Sequence, residues 1–394
     1  MSARRVMSAR RVMSVRRVVA ALAGGAVALV LASCGNATSS SPAADHSGPV
    51  ASPPHTIASG SQTEAPSSSG SPTGSHEHPA LVTVAKAPLH WQAVPGSTKD
   101  LVTVGDGWTL TVPDGEATAR LAGPHPRTIR AGDHFTISDA FLDDTHALVV
   151  SEDRFANQPD RATLVDLASG RATVLDQTSQ PPTVVGGTWA LGPDTLAHAT
   201  SGGRGRYCLA TVDLADGHGS TGWCAQPRHG FRSATITAAG TTMMTFDDHH
   251  PSCRTLNTVT GADLTPLPDV TACKGWDSAS LDGTTVWSVV PKDRRIEAAH
   301  FYAHTDSGWY DLGPGTSGSL VTCAGSAYFT RDPGSRTDPA RLLRWSPETA
   351  SLTIAYASKA TGNAFLSPPR CGGSHLTVTS YAQSGDEQVT ASVG

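Results

Sequence analysis

The sequence predicts an all-β fold, a β-propeller of seven four-stranded blades closed by an N-terminal strand. Two recurring series of turn residues and the lack of helical periodicity support this prediction. Residues 81–394 contain short β-rich runs, such as 147–150 and 286–290, which are separated by Gly, Asp, Pro and Ser. About 310 residues are long for a single sandwich, so the length favours a repeat architecture.

The first turn signal recurs at intervals of roughly 40 to 50 residues. Its copies are Asp106-Gly107, Asp144-Thr145, Asp194-Thr195, Gly240-Thr241, Gly283-Thr284, Gly325-Ser326 and Gly373-Ser374. Each pair separates two β-runs, which is typical of a hairpin, here the inner one of each unit.

A second turn follows at a near-constant offset and marks an outer hairpin. Its copies are Asp114-Gly115, Ser169-Gly170, Asp216-Gly217, Thr260-Gly261, Ser307-Gly308 and Glu348-Thr349. Two hairpins per repeat make a four-stranded sheet, and a repeated four-stranded sheet is a propeller blade. The last unit supplies about three strands, so Leu81-Val82-Thr83-Val84 is predicted to add its outer strand and close the ring. The unit resembles the degenerate blades of TolB-like and kelch-like propellers of bacterial envelope proteins, a resemblance that implies architecture and no particular activity.

The first 33 residues have the composition of an export signal. They contain paired arginines and no acid, and Val18 to Val30 is an apolar run. The following Leu31-Ala32-Ser33-Cys34 resembles the lipobox of bacterial lipoproteins. The resemblance implies removal of 1–33, acylation of Cys34, and attachment to the lipid bilayer on the extracytoplasmic side of the cell membrane. An uncleaved anchor is the alternative, and translation starting at Met1, Met7 or Met13 leaves a complete signal.

Residues 34–80 are rich in Ser, Pro and Gly and have no aromatic residue, so they are predicted to form a disordered tether before the domain at 81–394. The formal net charge is −5 and becomes more negative when the arginine-rich signal is removed. An acidic body argues against nucleic acid as a partner.

Six cysteines follow Cys34, and in an exported chain an even number indicates disulfides. Cys208 and Cys224 flank one outer turn, and Cys253 and Cys273 bracket the next. Cys323 and Cys371 lie at equivalent places two residues before inner turns of consecutive units. We therefore predict the pairs 208–224, 253–273 and 323–371.

One face of the predicted disc carries charged loops between second and third strands, and the innermost strands begin there. We call it the loop face and expect function on it. The candidate residues of this face are His134, His229, Arg232, Lys274, Trp276, Asp277, Asp247, Asp248, His249 and His250. Asp247-Asp248-His249-His250 fits either an exposed turn or, less well, a divalent-metal site.

The sequence contains no nucleophile elbow, zinc-protease motif, phosphate loop or dinucleotide fingerprint, so it predicts no catalytic residue, no resident metal and no cofactor. The prediction is a non-enzymatic protein that binds an envelope protein, a peptide or a glycan on the loop face. The alternative is an extracytoplasmic lyase or glycosidase with its active site at the mouth of the propeller channel.

Overall fold

The computed structural model describes residues 79–247, 253–292 and 295–394, which belong to one compact unit, Glu77–Gly394. The predicted signal peptide, Cys34 and the tether up to residue 78 lie outside the described residues, as do Asp248, His249 and His250.

The described residues form short strands, joined by turns and by one 3-10 turn at Gly203–Gly205. Before the first sheet come β1 (Ala80–Leu81), β2 (Val84–Lys86) and β3 (Gln92–Ala93). The next strands are β4 (Leu101–Val104), β5 (Thr109–Val112), β6 (Thr118–Ala122), β7 (Arg127–Arg130), β8 (Phe135–Leu142), β9 (His146–Asp153), β10 (Arg161–Asp166) and β11 (Ala172–Leu175). Then follow β12 (Trp189–Leu191), β13 (Thr195–Gly202), β14 (Arg206–Asp213), β15 (Gly219–Cys224), β16 (His229–Thr237), β17 (Gly240–Asp247), β18 (Cys253–Thr260) and β19 (Asp263–Pro266). The last strands are β20 (Gly275–Leu281), β21 (Thr284–Val289), β22 (Ala298–Thr305), β23 (Gly308–Thr316), β24 (Val321–Cys323), β25 (Ser326–Arg331), β26 (Pro339–Ser346), β27 (Ser351–Thr361), β28 (Phe365–Leu366), β29 (Arg370–Gly372), β30 (His375–Tyr381) and β31 (Glu387–Ser392).

Strands that are consecutive in the chain pair antiparallel, so each sheet is built from local hairpins. Three sheets have four strands: β4 to β7, β12 to β15 and β16 to β19. Two have five, because β1 joins β20 to β23 and β2 joins β24 to β27. The remaining sheet has nine strands and contains β8 to β11 together with β28 to β31 and β3.

The described residues form six hydrogen-bonded sheets, whereas the sequence predicts seven four-stranded blades. The nine-stranded sheet arises because β29 meets β8 in parallel at one residue pair, Gly372 and Leu142. Gly372 also packs closely on the first sheet, since a Cβ there would lie 2.2 Å from the carbonyl oxygen of Val104. The contact is made by backbone, which explains why the turn series did not indicate it.

Six hydrophobic clusters arrange the sheets in a ring, because each cluster joins strands that are successive in the chain. One cluster joins β4–β7 to β8–β11 through Leu121 and Val149, and another joins β24–β27 to β29–β31 through Leu342 and Val378. The last strands also return to the first sheet: Thr377 accepts a hydrogen bond from the Val104 amide at 3.1 Å. The core thus lies between the sheets and runs around the ring.

The N-terminal segment closes this ring differently from the prediction. Leu81 to Val84 does not complete the last unit. Instead β1 and β2 add parallel to β23 and β27, the outer strands of two other sheets. The missing outer strand is β3, which pairs antiparallel with β31. Residues 80–94 therefore cross the outer edges of three successive sheets, and we call them the strap.

The predicted inner turns all lie between first and second strands, and several use glycine with positive φ, such as Gly283 at 61° and Gly373 at 72°. They form the face opposite the loop face, which we call the turn face. One outer turn was assigned wrongly: Asp114-Gly115 lies between β5 and β6, on the loop face, and the outer turn of that sheet spans 123–126. Gly123-Pro124 is the turn signal that marks this outer turn in the sequence.

The structure contains the three disulfides that the sequence predicts. Cys208–Cys224 links adjacent strands of one sheet, and Cys323–Cys371 links the innermost strands of two successive sheets. Cys253–Cys273 joins the start of β18 to the segment just before β20. Each bond thus links two separate strands or segments of the propeller.

Candidate functional site

Most of the predicted loop-face residues meet at the junction of the β16–β19 and β20–β23 sheets. Their strands supply His229 and Arg232 from β16, Asp247 from β17, and Trp276 and Asp277 from β20, with Lys274 just before β20. His134 lies elsewhere on the loop face, before β8, and its ring is 5.9 Å from that of Phe155. We call the group at the junction the loop-face cluster.

Trp276 is the centre of the loop-face cluster. Its side chain is 9% exposed, and the Cζ atoms of Arg232 and Arg254 lie 4.6 Å and 4.9 Å from its ring centroid. Guanidinium groups at this distance are attracted by the quadrupole of the indole, with about 0.5–2 kcal/mol per contact depending on desolvation. The arrangement holds two cations against one aromatic ring.

Two strand irregularities place these side chains together. The β16–β17 pairing shifts between Arg232 and Thr235, and the β20–β21 pairing shifts between Gly275 and Ser278. Such bulges re-aim side chains at the end of a strand. Gly275 also lets β20 approach β18, since a Cβ there would lie 2.5 Å from Cγ of Leu256.

The disulfide Cys253–Cys273 supports the cluster directly. Arg254 follows Cys253 and Lys274 follows Cys273, and these two residues form a parallel β-bridge. The bond therefore fixes the spacing between the strand that carries Arg254 and the segment that leads to Trp276. Sequence reasoning predicted the disulfide and Trp276 separately and did not identify Arg254, for which the adjacent cysteine was the available signal.

Asp277, next to Trp276 on β20, carries a buried carboxylate. Its Oδ2 accepts hydrogen bonds from Ser288 Oγ at 3.0 Å and from the Gly318 amide at 2.8 Å. Burial raises the pKa of Asp277 to about 6, although these hydrogen bonds and the nearby Arg232 favour the charged form. Asp277 thus ties β20 to β21 and to the segment before β24.

His229 and Asp247 lie opposite each other across β16 and β17, with Nε2 and Oδ2 3.7 Å apart and both side chains 36% exposed. The Nδ1 atom of His229 lies 3.1 Å from the carbonyl oxygen of Pro227. The pair forms the outer, solvated part of the cluster.

The loop that follows β9 presents a second feature of the loop face. Asp153 Oδ2 accepts the amides of Asn157 and Gln158 at 2.7 Å and 3.0 Å, and the Phe155 amide is 3.3 Å from Oδ1. The Asn157 amide is the main cause of the lowered pKa of Asp153, which burial opposes. The loop held in this way exposes Phe155, whose side chain is 67% accessible.

A charged pair that sequence reasoning missed lies on the innermost strands. Arg370 of β29 donates from Nε to Thr103 Oγ1 at 2.8 Å, and its guanidinium is 3.6 Å from Asp139 of β8. Burial lowers the pKa of Arg370, and Asp139 opposes this. The three residues lie on strands β4, β8 and β29, which are far apart in the chain, so no local pattern indicated them.

The chain matches no known family model and no curated protein. Among solved structures it is similar to the β-propeller domain of the Trilobed protease from Pyrococcus furiosus, with a TM-score of 0.50 and 8% identity over 74% of this chain and 93% of that domain. The chain is a β-propeller. At this identity the likeness shows the fold alone.

Two further solved structures resemble the propeller less well. An oligogalacturonate lyase in complex with manganese has a TM-score of 0.49 and 13% identity, over 79% of this chain and 99% of that chain. The tricorn protease has a TM-score of 0.46 and 10% identity, over 78% of this chain and 36% of that chain.

The turn face of the propeller contains a cavity of about 640 Å³ that sequence reasoning did not anticipate. Turns of three successive units line it, with Trp108 and His125 from the β4–β7 sheet, His146 and Asp166 from β8–β11, and Asp194 from the β12–β15 sheet. The sequence indicates only that these residues lie in turns, and the turns come together only when the sheets form the ring.

The described residues contain no group of three or more His, Cys, Asp or Glu side chains placed to hold a metal ion. No helix among them has the length and apolar character needed to cross a bilayer. The proposed metal reading of Asp247 to His250 rests mainly on residues outside the described ranges.

Proposed function

We propose that this protein is a lipid-anchored extracytoplasmic propeller that binds a partner on its loop face and catalyses no reaction. The partner is an envelope protein, a peptide or a glycan. The lipobox-like Leu31–Cys34 supports the anchor, and three disulfides agree with an oxidising compartment. We also propose seven blades, which requires counting the two halves of the nine-stranded sheet, joined by one residue pair, as two blades.

The contact of Arg232 and Arg254 with the Trp276 ring is the observation that carries the binding proposal. A guanidinium that lies over an indole at this distance has fewer accessible orientations, so less entropy is lost when it forms hydrogen bonds. Its planar fork matches a carboxylate. The chemical group that this cluster favours is therefore a carboxylate of an acidic peptide or an acidic glycan.

Binding of matched ligands tests this proposal. The full-length chain in non-ionic detergent is titrated calorimetrically with acidic peptides and acidic oligosaccharides, and with neutral counterparts of the same length. We expect Arg232→Gln to weaken binding of the acidic members about tenfold or more. The control Arg336→Gln changes an exposed arginine on another loop of the same face. Equal effects of the two substitutions would reject the cluster as the binding site.

The anchor is tested separately by fractionation. Cys34→Ala removes the acylated side chain, and we expect the protein to leave the membrane fraction, since acyl chains supply the membrane affinity. Continued retention of Cys34→Ala in membranes would reject lipid anchoring at this residue and leave the loop-face proposal untouched.

The second candidate function is a lyase or glycosidase at the channel mouth, and the raised pKa of Asp277 is the observation that favours it. Against this reading, the carboxylate of Asp277 is already hydrogen-bonded within the fold, by the Ser288 hydroxyl and the Gly318 amide. Turnover of an acidic oligosaccharide that disappears in Asp277→Asn while folding is retained would establish the enzyme. Binding without turnover in the unaltered protein would support the first proposal.

A further inference from the structure

The turn-face cavity is separate from the loop-face cluster, since it lies at the opposite end of the strands. Its volume, about 640 Å³, is within the range of small-ligand sites. The residues that give it chemical character are Trp108, His125, Asp144, His146, Asp166 and Asp194. It thus combines an aromatic wall with imidazoles and carboxylates.

Two glycines allow Trp108 and His125, the aromatic wall of the cavity, to pack closely on the backbone. A Cβ at Gly123 would lie 2.2 Å from Cε3 of Trp108, so the indole packs directly on the glycine backbone. A Cβ at Gly170 would lie 3.0 Å from Cβ of His125, and Nε2 of His125 is 3.1 Å from the carbonyl oxygen of Ala168. The Trp108 and His125 rings are 6.4 Å apart. This wall is formed before any ligand arrives.

The cavity lining also carries negative charge. Asp166 Oδ1 accepts the Ser169 amide at 2.9 Å, and this bond is the main cause of its lowered pKa, which burial opposes. Asp166 is therefore ionised at neutral pH. Asp144 and Asp194 are exposed carboxylates on neighbouring turns. Among the described residues that line the cavity, none is Lys or Arg.

We propose that the turn-face cavity binds an organic cation, an ammonium group placed against the face of Trp108 and between the carboxylates of Asp166 and Asp194. An indole face and ionised carboxylates both attract such a group. The described residues offer no grouping suited to a metal ion. The ammonium belongs either to a free polyamine or to a lysine side chain of a peptide.

Calorimetry on the full-length chain in non-ionic detergent tests this inference. The probes are spermidine, a capped tetralysine peptide and cellobiose, a neutral sugar of comparable size. We expect spermidine or tetralysine to bind and cellobiose not to bind. The tighter of the two cations identifies the source of the ammonium group. Affinity is expected to fall as salt rises from about 20 mM to about 300 mM, because the carboxylates are partly solvated.

Matched variants locate the binding. Asp194→Asn is expected to weaken cation binding about fivefold, as is Asp166→Asn, in which the amide oxygen can still accept the Ser169 bond. Trp108→Phe keeps an aromatic ring on Gly123 and is expected to weaken binding two- to threefold. The control Asp263→Asn alters a carboxylate of the turn face outside the cavity and is expected to have no effect.

Three results would overturn the inference. They are no binding of either cation, binding of cellobiose as tight as that of the cations, and equal losses in Asp194→Asn and Asp263→Asn. The loop-face variant Arg232→Gln is expected to bind the cation normally, so failure of this inference and failure of the proposed function are distinguishable.

Discussion

Gln92 pairs antiparallel with Thr390, so a strand that precedes the first sheet is the outer strand of the last unit. Trp91 belongs to the same strap and is partly buried. Its indole donates a hydrogen bond to the carbonyl oxygen of Ala355 at 2.8 Å, and its ring packs edge-on against Tyr356 with the centroids 5.2 Å apart. The strap pairs with β23, β27 and β31, so it covers the outer edges of three sheets that would otherwise be open to pairing with another chain.

Trp91 is therefore expected to hold the strap. Trp91→Ala should lower the free energy of unfolding by about 2–3 kcal/mol, somewhat less than a fully buried tryptophan, because the side chain is only partly covered. The control is Leu81→Ala in the same strap: Leu81 is 82% exposed, and the change is expected to stay within about 0.5 kcal/mol. Chemical denaturation measures both, and a larger loss for Leu81→Ala would contradict this account of closure.

The disulfides are expected to stabilise the fold unequally. Cys323–Cys371 spans 48 residues and Cys208–Cys224 spans 16, so the first restricts the unfolded chain more. Replacing both cysteines of a pair by serine should cost about 1 kcal/mol more for the first pair than for the second. Denaturation of the two double variants gives the comparison, and the reverse order would show that native packing outweighs loop entropy here.

Asp277 should make stability depend on pH between about 4 and 6. Its pKa of about 6 in the folded protein lies above the ordinary 3.8, so the native state holds a proton that the unfolded state has lost in this window. Stability therefore falls as pH rises from about 4 to about 6, by an amount on the order of 3 kcal/mol.

Denaturation midpoints measured from pH 4 to pH 7 check this dependence. Asp277→Asn should remove the fall, and Ser288→Ala, which deletes a hydrogen bond to the carboxylate, should extend it to higher pH. An Asp277→Asn profile parallel to that of the unaltered protein would contradict the assignment.

The sequence predicted the parts of the fold that local geometry dictates. Inner turns such as Gly283-Thr284 were recognisable because a tight turn needs positive φ, and Cys208 and Cys224 were paired because they flank one hairpin symmetrically. The strap was misplaced because strands of two or three residues carry no periodicity. The contact of Gly372 with Leu142 was missed because it joins the backbones of two strands that are far apart in the chain.

The residues of the candidate site also fall into those that the sequence indicates and those that only the fold brings together. Trp276 and Arg232 were identified because both lie near the start of an innermost strand, where charged and aromatic residues are noticeable. Arg254 was not, because it lies at the start of a third strand and reaches Trp276 only across two sheets. Trp108, Asp166 and Asp194 come from three separate turns, so their cavity exists only after the ring has formed.

Tyr356 and Glu387 connect two successive sheets, and this contact should protect the fold at moderately acid pH. Tyr356 donates a hydrogen bond to Glu387, and Lys359 donates a second at 2.5 Å. Burial raises the pKa of Glu387, but these two bonds outweigh it and leave the pKa below its usual value. Stability from this group is therefore present above the unfolded pKa and lost as pH falls through the lowered folded value.

Tyr356→Phe tests this contact. It should cost about 1–2 kcal/mol at pH 7, because the hydrogen bond goes to a charged partly buried group, and it should reduce the loss of stability on acidification. Tyr310→Phe is the control: its hydroxyl contacts Ser307 in an exposed setting, so its removal should cost less than about 0.5 kcal/mol. Equal costs for the two tyrosines, measured by urea denaturation at pH 7 and pH 4, would mean that the link between the sheets is held by packing against Trp91 and not by the Glu387 contact.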